Sequence, residues 1–137
     1  MAAAIALVCV DPRLNHELLR IQVRQKLDRL RLRADRIFIV NDVAGNVGTN
    51  FRNTVAMLKQ LNEPLVFCAA LHHDTCLAAE QGLRTPLATN AQRMATVLTE
   101  QGVRCPVLTG NILTQNNLLL WTDEPARRHH SFSMGRL

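Results

Sequence analysis

The sequence predicts an α/β fold in which a mainly parallel β-sheet of four to five strands is flanked by helices. Short apolar runs of strand length alternate with longer segments in which apolar residues recur at three- and four-residue steps. The run at 65–71 is apolar on both faces, as is usual at the centre of a parallel sheet. Strands that alternate with helices in this way form parallel sheets, because each helix carries the chain back across the sheet.

The first run, residues 2–9, is bounded by Pro12 and predicts a strand. Residues 14–33 predict a helix, for which Asn15 is suited as the N-cap. The predicted apolar stripe of this helix comprises Leu18, Leu19, Val23, Leu27 and Leu30. The remaining predicted elements are a strand at 36–40, a turn-rich loop at 41–49, a helix at 51–61 capped by Thr49 or Asn50, a strand at 65–71, a helix from Pro86 or Thr89 to about Gly102, and strands at 105–108 and 118–121.

Length and composition predict one domain, residues 1–123, followed by a loose basic tail at 124–137. The net charge of +5 is concentrated in that tail and on the first helix, and aromatic residues are only 4% of the chain, so a nucleic-acid-binding surface is not expected. No apolar run is long enough to span a membrane. No basic residue precedes the N-terminal apolar run, which argues against a signal peptide and for a cytoplasmic protein.

The four cysteines are too few for a disulfide scaffold, and in a cytoplasmic chain their presence favours metal binding over bridging. Cys68 and Cys105 lie in apolar runs, so we expect both to be buried as small hydrophobic residues. His16 and His72 have no sequence partner and are expected to be ordinary surface or packing residues. Cys9 and Cys76 are therefore the cysteines expected to bind a metal.

Three chemically distinctive segments each follow a predicted strand. Cys9 ends the first strand, Gly45 lies in the loop after the second, and His73 and Cys76 follow the third. Ligands of open α/β sheets bind beyond the carboxyl ends of the strands, so these segments are expected to converge on one edge.

The residues at this edge are suited to bind zinc. His73 and Cys76 form a His-x-x-Cys pair, and Cys9 provides a third ligand, which gives the Cys2His set of some catalytic zinc sites. Asp11 is expected either to be the fourth ligand or to hydrogen-bond a water on the metal. Arg13 decides between these two arrangements if it holds the carboxylate.

The same segments resemble the β-class carbonic anhydrases. The resemblance rests on Cys9-x-Asp11-x-Arg13, the loop Ala44-Gly45-Asn46 and His73-x-x-Cys76, in that order, over about residues 5–121. His72 and Leu77 stand where that family normally has glycine.

The resemblance implies a zinc lyase that catalyses the reversible hydration of CO2 to bicarbonate by attack of zinc-bound hydroxide. It implies zinc ligation by Cys9, His73 and Cys76, and a catalytic pair of Asp11 and Arg13, with Asp11 a ligand only in a closed, suppressed state. Gly45 and Asn46 are expected to help bind the substrate. The resemblance also implies a homodimer or a larger homo-oligomer.

Two alternatives use the same zinc site. Close relatives of this family hydrolyse CS2 or COS, and the shape of the pocket rather than the sequence would separate them from the CO2 enzymes. A protein of this type could also bind zinc without catalysis and serve in assembly or binding.

Overall fold

The described part of the chain, residues 1–125, forms five strands and four helices in a computed structural model. Residues 126–137, which include most of the predicted basic tail, lie outside the described residues. The elements are β1 (Ala3–Cys9), α1 (His16–Leu30), β2 (Arg36–Asp42), α2 (Thr49–Gln60), β3 (Leu65–His73), α3 (Leu77–Glu80), α4 (Leu87–Glu100), β4 (Val107–Leu113) and β5 (Leu118–Trp121), with a 3₁₀ turn at Val43–Gly45.

The five strands form one sheet in the order β2-β1-β3-β4-β5. The first four strands are parallel, and β5 pairs antiparallel with β4. From β1 the chain first adds β2 on one side and then crosses to add β3 on the other side. The carboxyl ends of β1 and β3 therefore flank a switch point of the kind at which α/β sheets bind ligands. The predicted fold class is confirmed.

Helices cover both faces of the sheet because the central strands are apolar on both faces. The residues of β1 are all buried, and alternate residues belong to two separate cores. On one face the core is built from α1 and from Ala4, Ala6, Val8, Phe67, Leu71, Ile112 and Trp121. On the other face it is built from α2 and α4 and from Ile5, Leu7, Cys68 and Ala70.

The predicted apolar stripe of α1 is wrong at two positions. Leu18 and Leu30 are 43% and 38% exposed, whereas Lys26 is buried. The Lys26 ammonium donates hydrogen bonds to Asp123 and Glu124, which follow β5 in the chain. Periodicity predicts that α1 has an apolar face. The residues of α1 that are buried also depend on the segment after β5, which folds against the helix at Lys26.

Several element boundaries also differ from the prediction. β4 begins at Val107 rather than at Cys105 and continues to Leu113. Pro106 has no backbone N–H to give to a ladder, although its carbonyl accepts a hydrogen bond from the Cys68 amide at 3.0 Å. The short helix α3 was not predicted, because four residues are too few to show a period.

The predicted caps have mixed outcomes. Asn15 is the N-cap of α1, and its side chain accepts a hydrogen bond from the Leu18 amide, as expected. The prediction of Thr49 or Asn50 as the cap of α2 is wrong, because that helix begins at Thr49 after Gly48. The carboxylate of Asp42 instead accepts the Asn50 and Phe51 amides at 3.1 and 3.0 Å. It satisfies two of the free N–H groups that every helix start exposes.

Glu124, the first residue of the predicted tail, is held against α1 by ion pairs with Lys26 and Arg29, both at 2.7 Å. No helix among residues 1–125 is both long enough and apolar enough to cross a lipid bilayer.

Candidate metal centre

Cys9, His73 and Cys76 form a compact cluster at the carboxyl edge of the sheet. One donor atom from each residue lies within 4.8 Å of the other two. All three residues are buried, with exposed fractions of 7%, 2% and 3%. The first two terminate β1 and β3, which are hydrogen-bonded parallel neighbours, so the switch point between these strands brings their side chains together.

Cys76 reaches the cluster because the chain turns sharply after His73. Thr75 has a φ of 51°, a left-handed conformation that a β-branched residue rarely adopts. The carboxylate of Asp74 accepts the Thr114 amide at 2.7 Å, which anchors the turn to the end of β4. Backbone strain is therefore held next to the cluster by surrounding hydrogen bonds.

Asp11 and Arg13 lie beside the cluster as a bidentate pair. The guanidinium donates to the two carboxylate oxygens at 3.1 and 2.7 Å, and the Arg13 amide donates to Oδ1 at 2.9 Å. These bonds hold the pKa of Asp11 well below its usual range. β1 ends at Cys9, so a turn at residues 12–13 rather than extended chain places the pair beside the cluster.

The carboxylate of Asp11 also contacts His73. Its Oδ2 lies 3.1 Å from His73 Nε2, although Asp11 is not one of the three clustered residues. In this arrangement the carboxylate is paired with Arg13 and lies at the border of the cluster. It is close enough to hydrogen-bond a molecule bound at the cluster.

Thr75 supports Arg13 at the candidate site, a role that the sequence did not reveal. Its hydroxyl and its carbonyl accept hydrogen bonds from the Arg13 guanidinium at 3.3 and 2.9 Å. The guanidinium is thus held between Asp11 and the turn that carries Cys76. The two residues are 62 positions apart, and only the place of Thr75 between His73 and Cys76 could have drawn attention to it.

The donor set of the cluster fits zinc. Two thiols and one imidazole are a known three-ligand set for this metal, in which a fourth position stays open. Burial, followed by the nearby Cys76, raises the pKa of the Cys9 thiol, so without a metal this thiol holds its proton. Binding would release that proton, as expected when thiolates coordinate a metal.

A cavity of about 240 Å³ adjoins Cys9 and Asp11. Asp11 and Gln81 are its polar side chains besides the Cys9 thiol, and its other lining side chains are apolar. The other lining residues are Val10, Val43, Ala44, Leu77, Ala78, Gln81 and Leu83. Such a cavity suits a small molecule of low polarity.

Gly45 is packed into the junction between β1 and β3. Its φ is +69°, and a Cβ there would lie 3.0 Å from the Leu71 carbonyl oxygen and 3.4 Å from the Cys9 nitrogen. Only glycine therefore fits this position without strain. The buried Asn90, which the sequence did not single out, holds the loop by donating to the Gly45 carbonyl at 2.7 Å and accepting the Val47 amide at 2.8 Å.

Asn46 follows in the same loop, and both ends of its side-chain amide are engaged. It donates to the Leu83 carbonyl at 2.9 Å and accepts the Thr85 amide at 2.9 Å. The structure thus gives Gly45 and Asn46 roles in shaping the loop. Their contact with a substrate stays a prediction.

His72 and Leu77, which stand where β-class carbonic anhydrases normally have glycine, lie in different environments. His72 is buried, and burial lowers its pKa to about 4, so it is neutral at pH 7. It points to the face of β3 opposite His73, because successive strand residues alternate. Leu77 is 64% exposed at the rim of the cavity. Neither side chain belongs to the Cys9-His73-Cys76 cluster.

No protein-family model and no curated protein matches this sequence. Solved structures do match its fold. Carbonic anhydrase from Streptococcus mutans superposes with a TM-score of 0.50 at 15% identity, covering 88% of this chain and 81% of that chain. The fold is carbonic anhydrase-like. Carbonic anhydrase from Glaciozyma antarctica gives a TM-score of 0.51 at 12% identity, covering 86% of this chain and 80% of that one. At these identities the similarity establishes the fold alone.

Proposed function

We propose that this protein is a zinc-dependent carbonic anhydrase of the β class, which interconverts CO2 and bicarbonate. The observation that carries the proposal is the Cys9-His73-Cys76 cluster with a carboxylate beside it that is held by an arginine. A purely structural zinc site needs four ligands and no such pair, whereas a catalytic site keeps one position open.

The residues have separate roles in this proposal. Cys9, His73 and Cys76 would hold the zinc ion. Bound zinc lowers the pKa of a coordinated water towards 7, which supplies a nucleophile at neutral pH. Asp11 would accept a hydrogen bond from a water held at the cluster and so orient it towards the substrate. Arg13 keeps Asp11 from becoming a fourth ligand by bonding both of its oxygens.

The cavity beside Cys9 supports CO2 as the substrate. CO2 is small and carries no net charge, and the walls formed by Val10, Val43 and Leu83 are apolar. Gly45 and Asn46 shape the loop next to this cavity and are proposed to position the substrate through their backbone groups. COS and CS2 share the linear shape of CO2, so they are measured in parallel.

The test is stopped-flow CO2 hydration with the full chain after its zinc content has been quantified. We expect one zinc per chain and turnover well above the uncatalysed rate. One zinc per chain with turnover of COS or CS2 alone would reassign the substrate. One zinc without any turnover would leave a zinc-binding protein without catalysis, and absence of zinc from the intact chain would refute the site itself.

The proposal extends to a homo-oligomer that covers the rim of the cavity. Val10, Val43, Leu77 and Leu83 are 54% to 64% exposed, and together they border the cavity. Clustered exposed apolar residues mark interaction surfaces more often than isolated ones do. Light scattering after gel filtration should give at least a dimer, and Leu77→Glu should shift it towards the monomer. A wild-type chain that is monomeric at assay concentration contradicts this part.

A further inference from the structure

Cys68 and Cys105 bring two thiols together in the amino-terminal half of β3, away from the Cys9-His73-Cys76 cluster. Their sulfur atoms lie 4.0 Å apart and are hydrogen-bonded. Neither residue belongs to the metal cluster, and the proposed function gives them no role. Both thiols are free.

The backbone explains why the two sulfurs meet. Cys68 is the register partner of Val107 in the parallel β3–β4 ladder, and its amide donates to the Pro106 carbonyl at 3.0 Å. Cys105 stands two residues before Val107, and both residues pack against the core that contains Cys68. The proximity is therefore fixed by main-chain hydrogen bonds rather than by side-chain packing alone.

The two thiols differ in their access to solvent. Cys68 is 0% exposed within the core formed with α2 and α4, whereas Cys105 is only partly buried. Arg104 and Pro106, on either side of Cys105, are exposed. A small oxidant can therefore reach Cys105 from solvent more readily than it can reach Cys68.

The chemistry of the pair follows the same asymmetry. The hydrogen bond with Cys68 lowers the pKa of Cys105, and the same bond, followed by burial, raises the pKa of Cys68. The thiolate is the reactive form of cysteine, so Cys105, whose pKa is lowered, reacts more readily than Cys68. The buried Cys68 thiol lies next to Cys105 and is placed to react with it once Cys105 has been oxidised.

We propose that Cys68 and Cys105 form a reversible, peroxide-responsive disulfide. The Cys105 thiol releases its proton, the thiolate attacks hydrogen peroxide, and the O–O bond breaks; the departing hydroxide takes up the released proton, so a sulfenic acid and water are produced. The Cys68 thiol then attacks the sulfenic sulfur, the S–S bond forms, and the S–O bond breaks with release of a second water. In total two thiols lose two hydrogen atoms and one peroxide is reduced to two waters, and a dithiol reductant reverses the change.

Closing the bond requires a modest movement. A disulfide is about 2.05 Å long, so the sulfurs must approach by roughly 2 Å. Cys105 lies in the loop before β4, where its chain neighbours are exposed, and can supply this movement more easily than β3. The bond would close the segment 68–105, which contains His73 and Cys76, and would restrict it in the unfolded chain. Oxidation should therefore raise the melting temperature of the protein.

The test maps disulfides in the full chain after exposure to hydrogen peroxide in the presence of one equivalent of zinc. Free thiols are alkylated, and the protein is cleaved without reduction by trypsin together with a protease that cuts before aspartate. This combination separates all four cysteines. Cys9, Cys68, Cys76 and Cys105 then lie in the peptides 1–10, 60–73, 74–84 and 105–122.

We expect a linked pair of peptides 60–73 and 105–122 that disappears after treatment with dithiothreitol. In Cys105→Ser we expect Cys68 to remain alkylatable, because the solvent-accessible thiol is gone. In Cys68→Ala we expect Cys105 to stop at the sulfenic acid, trapped by dimedone, or to proceed to the sulfinic acid. The circular dichroism spectra of both variants should match that of the wild type, which checks that they are folded.

Three results would overturn the inference. The first is Cys105 over-oxidised in the wild type while Cys68 stays free. The second is a link between the peptides of Cys9 and Cys76 without one between those of Cys68 and Cys105. The third is an equal yield of oxidised Cys68 in the Cys105→Ser variant. The mapped bond is independent of zinc binding and of turnover, so the proposed function can fail without affecting it.

Discussion

Two pairs of cysteines lie along β3, one at its carboxyl end and one in its amino-terminal half, but their surroundings differ. At the carboxyl end, Cys9 and Cys76 meet His73 and lie beside the Asp11–Arg13 pair. In the amino-terminal half, Cys68 meets Cys105 with no imidazole or carboxylate among their hydrogen-bond partners in residues 1–125. Two close thiols are thus compatible with either metal or redox chemistry, and the third and fourth side chains decide between them.

The same topology creates both thiol pairs. β3 has β1 as one neighbour and β4 as the other. Cys9 comes from the end of β1, and Cys105 comes from the loop before β4. A central strand therefore collects side chains from both sides, and its carboxyl end, at the switch point, is the one with polar partners.

The largest expected effect concerns the metal ligands themselves. Cys76→Ser should weaken zinc binding by more than about 100-fold, since loss of a direct ligand exceeds the 10- to 100-fold cost of losing a supporting residue. Zinc is quantified by mass spectrometry after dialysis against a competing chelator. Cys105→Ser is the matched control and should keep one zinc per chain. Stoichiometric zinc in Cys76→Ser would remove Cys76 from the ligand set.

The next effect separates binding from catalysis. Asp11→Ala should lower kcat/KM for CO2 hydration by about 100-fold, a typical contribution of a positioned proton-accepting group. Zinc content should stay at one per chain, because Asp11 is not one of the clustered donors. Asp123→Ala, which alters a carboxylate bonded to Lys26, is the control and should leave the rate unchanged. An unaltered rate in Asp11→Ala would exclude it from the mechanism.

A third comparison tests how tightly the carboxyl end of the sheet is packed. Gly45→Ala should lower the free energy of unfolding by about 2 to 4 kcal/mol, combining left-handed backbone strain with crowding against Leu71 and Cys9. Gly82 also has a positive φ, +73°, but nothing lies within 4 Å of a Cβ built there. Gly82→Ala should therefore cost only about 1 kcal/mol. Urea unfolding measures both, and equal losses would contradict the crowding at Gly45.

The smallest effect tests the support of Arg13. Thr75→Val removes the hydroxyl that accepts from the guanidinium at 3.3 Å, but keeps the β-branched shape and the carbonyl contact. We expect kcat/KM to fall about threefold, in line with the modest net value of one hydrogen bond. Thr75→Ser keeps the hydroxyl and should restore the rate. A rate loss in Thr75→Ser as large as in Thr75→Val would assign the effect to backbone geometry instead.

The sequence was sufficient for the fold class and for bringing together the three clustered residues of the candidate metal centre. Apolar runs that alternate with periodic segments already implied a parallel sheet, and strand ends then placed Cys9, His73 and Cys76 at one edge. These inferences succeed because burial on both faces of a sheet imposes a composition that is visible locally. A different local preference, that of Asn for the N-cap position, identified Asn15 as a helix cap.

The tertiary structure alone decided the contacts between residues distant in the chain. Thr75 supports Arg13 across 62 positions, Asn90 holds Gly45 across 45, and Cys68 meets Cys105 across 37. Lys26 is buried, and its ammonium bonds Asp123 and Glu124, 97 and 98 positions away. Local periodicity reports which residues prefer to be buried, whereas strand order and register determine which of them meet, and these depend on the packing of the whole chain.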